Sequence, residues 1–379
     1  MIYECFLCML FVFGIAGWGL PQKINNNLFV VAITFMAVIV CLRNVSVGFD
    51  TVSYVGFFSG NGGLYGIYSN PGHEVEKGIS ILGYIYHFIG IKTTEEWPYL
   101  MINGILTVVP LFLITKRFSV NPCFSLFLMF TALRGSFMIL YVAALRQALS
   151  IAFTLFSLYF IVEKPNKYKL YFILLSAASV LFHNTGILMT IVILVMNYLR
   201  PSKKVAYSLL SGTFVISLFF NSVGLNLFSQ LLASLNSLTA ARYDYYSSSE
   251  SYDLSERSVL SIGLNLILPY IFVYLSSDEE LQKNIFLKTY ILAPCVFLLF
   301  GSFEQVSRMV AGIWIIGAVG ALPSQDVIRK SNLFLLVVVV SVFFLSRAIF
   351  MYSGKGGVVN GFMPYIFFGN SYESLFCFK

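Results

Sequence analysis

Six arginines suggest a site that binds a phosphate group at one face of a membrane. The planar guanidinium of arginine donates two parallel hydrogen bonds, which match the oxygens of a phosphate or pyrophosphate. A single arginine at the bilayer edge often only extends its charge to the lipid surface. Six near the same ends of predicted helices instead indicate a site for a lipid-linked phosphate or pyrophosphate. They are Arg43, Arg134, Arg146, Arg242, Arg308 and Arg347.

Three groups on the same predicted side could take a proton from a sugar hydroxyl. Asp50 and Glu76 lie in one polar segment, and His183 lies between two apolar runs. For Glu76 the alternative is a carboxylate in a solvated loop. For His183 the alternative is a histidine that satisfies backbone groups at a tight turn between helices. The residues alone do not rank these three candidates for a general base.

Tyrosines in the polar segments are candidates for contact with sugars. Tyr243 and Tyr246 lie in Arg242-Tyr-Asp-Tyr-Tyr246, and Tyr54 follows Asp50. Flat rings with hydroxyls stack on sugar faces, although aromatic residues are also common at membrane interfaces. Cys5-x-x-Cys8 has no second cysteine pair and no His at metal-ligand spacing, so we interpret all six cysteines as small apolar residues. The chain also has no nucleophile elbow or redox motif. We therefore expect no metal and no cofactor.

The composition predicts a membrane protein. The chain has 379 residues, of which 58% are hydrophobic and 11% charged, and its mean hydropathy is +0.82. A soluble domain is usually about a quarter charged, and a spanning helix needs about 17–25 mostly apolar residues. We predict an all-α, polytopic helical bundle with about twelve transmembrane helices. The predicted spans are Ile2–Leu20, Leu28–Leu42, Trp97–Thr115, Val120–Leu133, Tyr141–Val162, Tyr168–Phe182, Gly186–Leu199, Val205–Phe220, Val259–Ser276, Ile285–Phe300, Val306–Leu322 and Leu333–Met351.

Two long polar segments separate the predicted spans, at residues 43–96 and 221–258. Within the first, the amphipathic run Gly78–Ile91 predicts an interfacial or re-entrant helix. Residues 352–379 form a tail, and residues 1–379 make one membrane domain. Long loops on a helical bundle often carry function, so we expect the site on the side of these loops.

Lysine and arginine in short loops predict the orientation of the bundle, because such loops tend to be cytoplasmic. Thirteen of the chain's 24 basic residues fall in one set of alternating short loops. The two long loops, both termini and the six arginines then face outward. This bias accounts for most of the net charge of +7. The sequence contains no basic patch interleaved with aromatic residues, so it does not predict nucleic-acid binding. The thirteen are Lys23, Lys116, Arg117, Lys164, Lys167, Lys169, Arg200, Lys203, Lys204, Lys283, Lys288, Arg329 and Lys330.

Taken in order along the chain, the motifs resemble those of the Wzy-type O-antigen and exopolysaccharide polymerases, in the EpsG-like branch. Each motif alone is weakly specific, and their order over nearly the whole chain carries the resemblance. One departure is Asn184-Thr185, where the family often has Ser after the His. The motifs are Arg43-x4-Gly48-x-Asp50-x3-Tyr54, Glu76-x-Gly78, Arg146-Gln147, Phe182-His183-Asn184-Thr185, Ala241-Arg242-Tyr243-x2-Tyr246, Arg308 and Pro364-Tyr365.

The resemblance implies a glycosyltransferase of polysaccharide or lipopolysaccharide biosynthesis in the bacterial inner membrane. A growing glycan would leave undecaprenyl pyrophosphate and join the non-reducing end of another lipid-linked repeat unit. The reaction would run at the periplasmic or external face, without a nucleotide sugar and without a metal. The expected partners are lipid-linked oligosaccharides, the bilayer and a chain-length regulator.

The resemblance also assigns roles to residues. The pyrophosphate ligands would be Arg146, Arg308 and Arg242, supported by Arg43 and Arg347. The base would be Glu76, His183 or Asp50, and His183 has the alternative role of holding the pyrophosphate. The glycan contacts would be Tyr54, Tyr243 and Tyr246.

Three other functions compete with this one. A flippase or exporter of lipid-linked oligosaccharide would need charged groups at midplane depth and on both sides of the membrane. An O-antigen-ligase-like transferase would share the arginines and the external site. A membrane acyltransferase would fit His183-Asn184 weakly, but it would leave the arginines unexplained.

Overall fold

The structure, a computed structural model, describes residues 2–44, 46–48, 51, 77–91, 96–131, 139–163, 169–218, 259–300 and 304–352. This part of the chain is all helical and contains sixteen helices. In order they are α1 (Ile2–Gly17), α2 (Gln22–Cys41), α3 (Lys77–Phe88), α4 (Glu96–Phe118), α5 (Pro122–Thr131), a π-helical turn (Ile139–Ala143), α6 (Leu145–Glu163), α7 (Lys169–Phe182), α8 (Thr185–Tyr198), α9 (residues 203–218), α10 (Val259–Leu275), α11 (Asp278–Lys283), α12 (Ile285–Phe300), α13 (Glu304–Gly320), α14 (Gln325–Lys330) and α15 (Phe334–Tyr352).

The helices have the apolar character expected of a bundle in a bilayer. By length and composition, α2, residues Trp97–Phe118 of α4, and α6 could each cross a membrane. Eight shorter apolar helices accompany them among the described residues. The chain is therefore a multi-pass membrane protein. Each of the twelve predicted spans overlaps one of these helices, which confirms that the spans are helical. The number of membrane crossings stays a prediction.

The centre of the bundle is α5. All ten of its residues are buried, and it packs against α1, α2, α4, α13 and α15. A helix that is apolar on every side belongs inside the protein and not at its surface. The indole of Trp314 on α13 donates a hydrogen bond to the carbonyl of Leu128 on α5, at 3.2 Å. This bond ties α13 to the central helix.

Polar side chains join several short loops at one end of the bundle, which we call the basic end. Gln325 Nε2 donates to the carbonyls of Val120, at 2.8 Å, and Gly17, at 3.3 Å. Near the same loops, Arg117 and Glu163 form an ion pair at 2.7 Å between the last turns of α4 and α6. The carboxyl ends of α1, α4 and α6 therefore lie at one end of the bundle.

A buried lysine joins the remaining short loops at the basic end. Lys288 is 3% exposed, and its ammonium donates to the carbonyls of Leu199, at 2.8 Å, and Gln282, at 2.9 Å. Asn284 Nδ2 donates to the carbonyl of Gly320, at 2.9 Å. Those of the predicted cytoplasmic loops that the structure describes therefore share one end of the molecule. Which side of the membrane this end faces stays a prediction.

Candidate functional site

Three helices cross closely at a glycine on α13. A Cβ atom placed on Gly312 would lie 2.6 Å from Met189 Sδ on α8 and 3.5 Å from Ile151 Cγ1 on α6. Small residues allow helices to approach this closely in membrane proteins. All three helices run toward the basic end, where α6 ends near Arg117 and α13 ends near Asn284. The first turns of α6, α8 and α13 therefore lie together at the opposite end, which we call the arginine end.

The positions of the candidate residues follow from the number of residues that separate each of them from this crossing along its helix. Arg146 precedes Ile151 by five residues on α6, and Arg308 precedes Gly312 by four on α13. Thr185 precedes Met189 by four on α8, and His183 lies just before that helix. At 1.5 Å per residue, the three helical positions lie about 6–8 Å beyond the crossing, in the same direction. Arg146, the backbone of Arg308 and the turn that contains His183 therefore lie at a similar depth at the arginine end.

Hydroxyl groups between α6 and α7 hold Arg146 and His183 at the same level. Ser179 Oγ donates to the carbonyl of Ser150 at 2.8 Å and lies 2.7 Å from Thr154 Oγ1. These three side chains are fully buried. Arg146 lies one turn before Ser150, and His183 lies one turn after Ser179. The backbone N–H of His183 donates to the carbonyl of Ser179 at 3.1 Å. Since α6 and α7 run in opposite directions, both residues project beyond the same end of this pair.

His183 caps the first turn of α8. Its Nδ1 accepts a hydrogen bond from the backbone N–H of Thr185, at 3.2 Å, and lies 2.9 Å from Thr185 Oγ1. The first N–H groups of a helix have no partner within the helix, so the imidazole satisfies one of them. The expected alternative, a histidine that serves the backbone at a tight turn, is therefore present in the structure. The ring is half-buried and borders the exposed Asn184, so solvent reaches this turn.

The segment after α2 packs beside the start of α6. Gly48 has φ +92°, a left-handed conformation that glycine adopts at little cost. The turn brings Thr51 Oγ1 to 3.0 Å from the carbonyl of Val142, four residues before Arg146. Asp50 is the neighbour of Thr51 in the sequence and lies outside the described residues. Arg43, at the start of this segment, is fully buried, and its Nη1 donates to the carbonyl of Val40.

The helix α3 packs on the other side of the His183 turn. A Cβ atom on Gly78 would lie 2.8 Å from the backbone carbon and oxygen of Leu181. Leu82 of α3 joins Leu145 of α6 and Phe182 of α7 in an apolar cluster that also includes the start of α4. Glu76 precedes Gly78 by two residues and lies outside the described part of the chain. The opposite face of α3 is apolar and exposed, as expected for the predicted interfacial helix.

Two more candidate arginines lie on helices that the structure describes. Arg347 is half-buried on α15, which packs against α1, α5 and α10. The structure describes the backbone of Arg308, which lies in α13, but not its side chain. The other candidate residues lie outside the described part of the chain. They are Asp50, Tyr54, Glu76, Arg134, Arg242, Tyr243 and Tyr246.

Sequence reasoning missed the residues that build the arginine end. Ser150, Thr154 and Ser179 are hydroxyl residues in apolar runs, and Ser150 and Thr154 have the i, i+4 spacing of one helix face. That spacing was the available signal for a polar contact between helices. Gly312 and Thr51 gave no comparable signal, because only the distant contacts with Met189 and Val142 reveal their roles.

The arrangement favours an anion. The amino ends of α6, α8 and α13 point to the same end, and each carries the partial positive charge of a helix N-terminus. Arg146 adds a full positive charge there, and Arg308 adds a second on the first turns of α13. Within the described ranges, no group of three or more His, Cys, Asp or Glu side chains could hold a metal ion.

Comparison with known proteins identifies the family. The family model described as the EpsG family matches residues 26–367. The match covers most of the chain, so the chain belongs to the EpsG family. No curated protein and no solved structure matches the chain.

Proposed function

We propose that this member of the EpsG family is a polysaccharide polymerase that uses lipid-pyrophosphate-linked repeat units. The EpsG family is associated with exopolysaccharide biosynthesis. In the proposed reaction, a hydroxyl at the non-reducing end of one repeat unit attacks the anomeric carbon of a glycan on undecaprenyl pyrophosphate. The bond between the anomeric carbon and the pyrophosphate oxygen breaks, and the lipid pyrophosphate departs.

The convergence of three helix N-termini with Arg146 and the Arg308 position is the observation that supports this proposal most. Negative charge grows on the pyrophosphate as it leaves, and preorganised positive charge stabilises that transition state. The proposed pyrophosphate ligands are Arg146, Arg308 and Arg242, with Arg43 and Arg347 in support. Arg43 has a buried guanidinium, so we assign it a supporting role behind the site.

The acceptor hydroxyl needs a base, and described residues that follow two of the proposed candidates contact the same group of helices. Glu76 precedes the contact of Gly78 with Leu181, and Asp50 precedes the contact of Thr51 with Val142. Tyr54, Tyr243 and Tyr246 are proposed to contact the sugars. We propose that the arginine end faces the periplasm or exterior, because the opposite end carries the basic loops.

A reaction with purified components tests the proposal. The protein in detergent is incubated with lipid-pyrophosphate-linked repeat units and EDTA, without nucleotide sugars, and the products are separated on a gel. We expect a ladder that grows by one repeat unit per step, because the pyrophosphate supplies the leaving group. Unchanged substrate with folded protein in a competent membrane preparation would contradict the polymerase. Transport of the same lipid in vesicles would then support the flippase.

A further inference from the structure

We infer that Thr185 is a positioning residue that fixes His183 as a hydrogen-bond donor through Nε2. In this role His183 binds an acceptor oxygen, which under the proposed function belongs to the pyrophosphate, and it is not the general base. The assignment of the oxygen rests on the proposed function. The protonation pattern of the ring rests on geometry alone.

The backbone of Thr185 determines which nitrogen of His183 carries the proton. A backbone N–H can only donate, so the nitrogen 3.2 Å away, His183 Nδ1, must accept with its lone pair. In the neutral ring the proton then lies on Nε2. The Thr185 hydroxyl approaches the same nitrogen at 2.9 Å. Two contacts at one ring atom also fix the orientation of the ring.

The residues around the contact between Thr185 and His183 leave little room for another conformation of this turn. Thr185 is 4% exposed. A Cβ atom on the next residue, Gly186, would lie 2.8 Å from backbone atoms of Ser179 and Val180. Ser179 is in turn held by its bond to the carbonyl of Ser150. The turn is therefore pressed against α7, and the Thr185 N–H keeps its direction toward the imidazole.

This protonation pattern decides between the two roles considered for His183. A base acting through Nε2 needs a lone pair there, which requires a proton on Nδ1 facing the Thr185 N–H. Two hydrogens would then point at each other across 3.2 Å between the nitrogens. A donor acting through Nε2 needs no such change, and it adds to the positive ends of α6, α8 and α13 around a departing pyrophosphate. The proton of the acceptor hydroxyl therefore goes to another group, for which Glu76 and Asp50 are the candidates.

The ring is measured directly by ¹⁵N NMR of the full chain labelled at histidine. The chain has three histidines, so the variants His73→Gln and His87→Gln assign the signals by subtraction. At neutral pH we expect His183 with a proton on Nε2 and none on Nδ1. A proton on Nδ1, alone or in a doubly protonated ring, would overturn the inference. This result does not depend on whether the protein makes polymer.

Substitutions test the role in the polymerase reaction. The side-chain nitrogen of Gln reaches about the position of Nε2 and donates, but it cannot accept a proton as a base. We expect His183→Gln to keep at least about ten-fold more activity than His183→Ala, since it retains one charge-assisted hydrogen bond. Equal inactivity of two folded variants would refute the donor role. A wild-type protein without polymer would instead refute the proposed function and leave the NMR result standing.

Variants of Thr185 test its positioning role. Thr185→Val removes the hydroxyl, keeps the backbone N–H and has nearly the same shape. We expect it to lower kcat roughly three- to ten-fold with little change in KM, as for one lost hydrogen bond that orients the ring. Thr185→Ser should restore kcat, because it returns the hydroxyl. Unchanged kcat in Thr185→Val, or no rescue by Thr185→Ser, would contradict the positioning role.

Discussion

At the scale of single residues, Arg146 and His183 owe their shared location to contacts one turn away from each. The bond between Ser179 and Ser150 aligns α6 and α7, and Gly312 brings α13 against both α6 and α8. Single-residue changes at the arginine end should therefore affect the reaction more than the fold. Equivalent changes at the basic end should leave the reaction intact.

The first prediction concerns the charge of Arg146. Arg146→Ala should reduce polymer formation about 100-fold or more, because it removes a donor to the departing pyrophosphate. Arg146→Lys should recover part of the rate, since it restores charge but not the two-pronged geometry. Ladder assays on purified, folded protein measure both.

Arg117→Ala is the matched control for this prediction. Arg117 is an exposed arginine at the basic end, where it pairs with Glu163. This variant should polymerise like the wild type. Long chains of normal length from Arg146→Ala would contradict the role of Arg146.

The second prediction separates the two carboxylates. If His183 is a donor, either Glu76→Gln or Asp50→Asn should lower the rate about 10²- to 10⁴-fold, the usual contribution of a general base. Each amide keeps the size of the carboxylate, so substrate binding should persist. Steady-state kinetics with a purified lipid-linked acceptor give kcat and KM separately. Near-normal kcat in both variants would exclude a carboxylate base.

At the scale of elements, the tight joint between α7 and α8 is the part on which the site depends most. Two residues, His183 and Asn184, separate the helices, and Gly186 lies against the backbone of α7. The amino end of α8 thereby reaches the level of the amino end of α6. A change that opens this joint should move His183 away from Arg146.

The third prediction compares two glycines in helices. Gly186→Ala should destabilise the protein by about 1–3 kcal/mol, because the new Cβ would overlap backbone atoms of Ser179 and Val180. Gly263→Ala on α10 is the matched control, since nothing lies within 4 Å of its Cβ position. It should be neutral or stabilising by about 0.4–1 kcal/mol. Thermal unfolding in detergent compares them, and equal stability of the two variants would contradict the close contact.

At the scale of the whole molecule, the bundle has two chemically different ends. The basic end gathers the short loops through Gln325, Lys288 and Asn284. The arginine end gathers the first turns of α6, α8 and α13. This separation agrees with a protein that inserts with its basic loops in the cytoplasm and acts on the other side.

The fourth prediction fixes the direction of insertion. In a background without native cysteines, Asn184→Cys marks the arginine end and Lys204→Cys marks the basic end, and both positions are exposed. An impermeant maleimide should label Asn184→Cys in intact spheroplasts, and Lys204→Cys only after the membrane is opened. The reverse pattern would place the arginine end in the cytoplasm and exclude an external polymerase site.

The sequence by itself determined the helices, their apolar character and the alternation of basic loops, because these follow from local composition and spacing. It also identified Arg146 and His183 as candidates from their type and their place at helix ends. It could not determine which helices are neighbours. That depends on contacts between distant residues, such as Gly312 with Met189 and Ile151, or Thr51 with Val142. Only the tertiary structure decided that Arg146 and His183 lie at the same end of the pair α6 and α7. It also decided the protonation of His183, because a single backbone N–H directed at Nδ1 determines which nitrogen can accept.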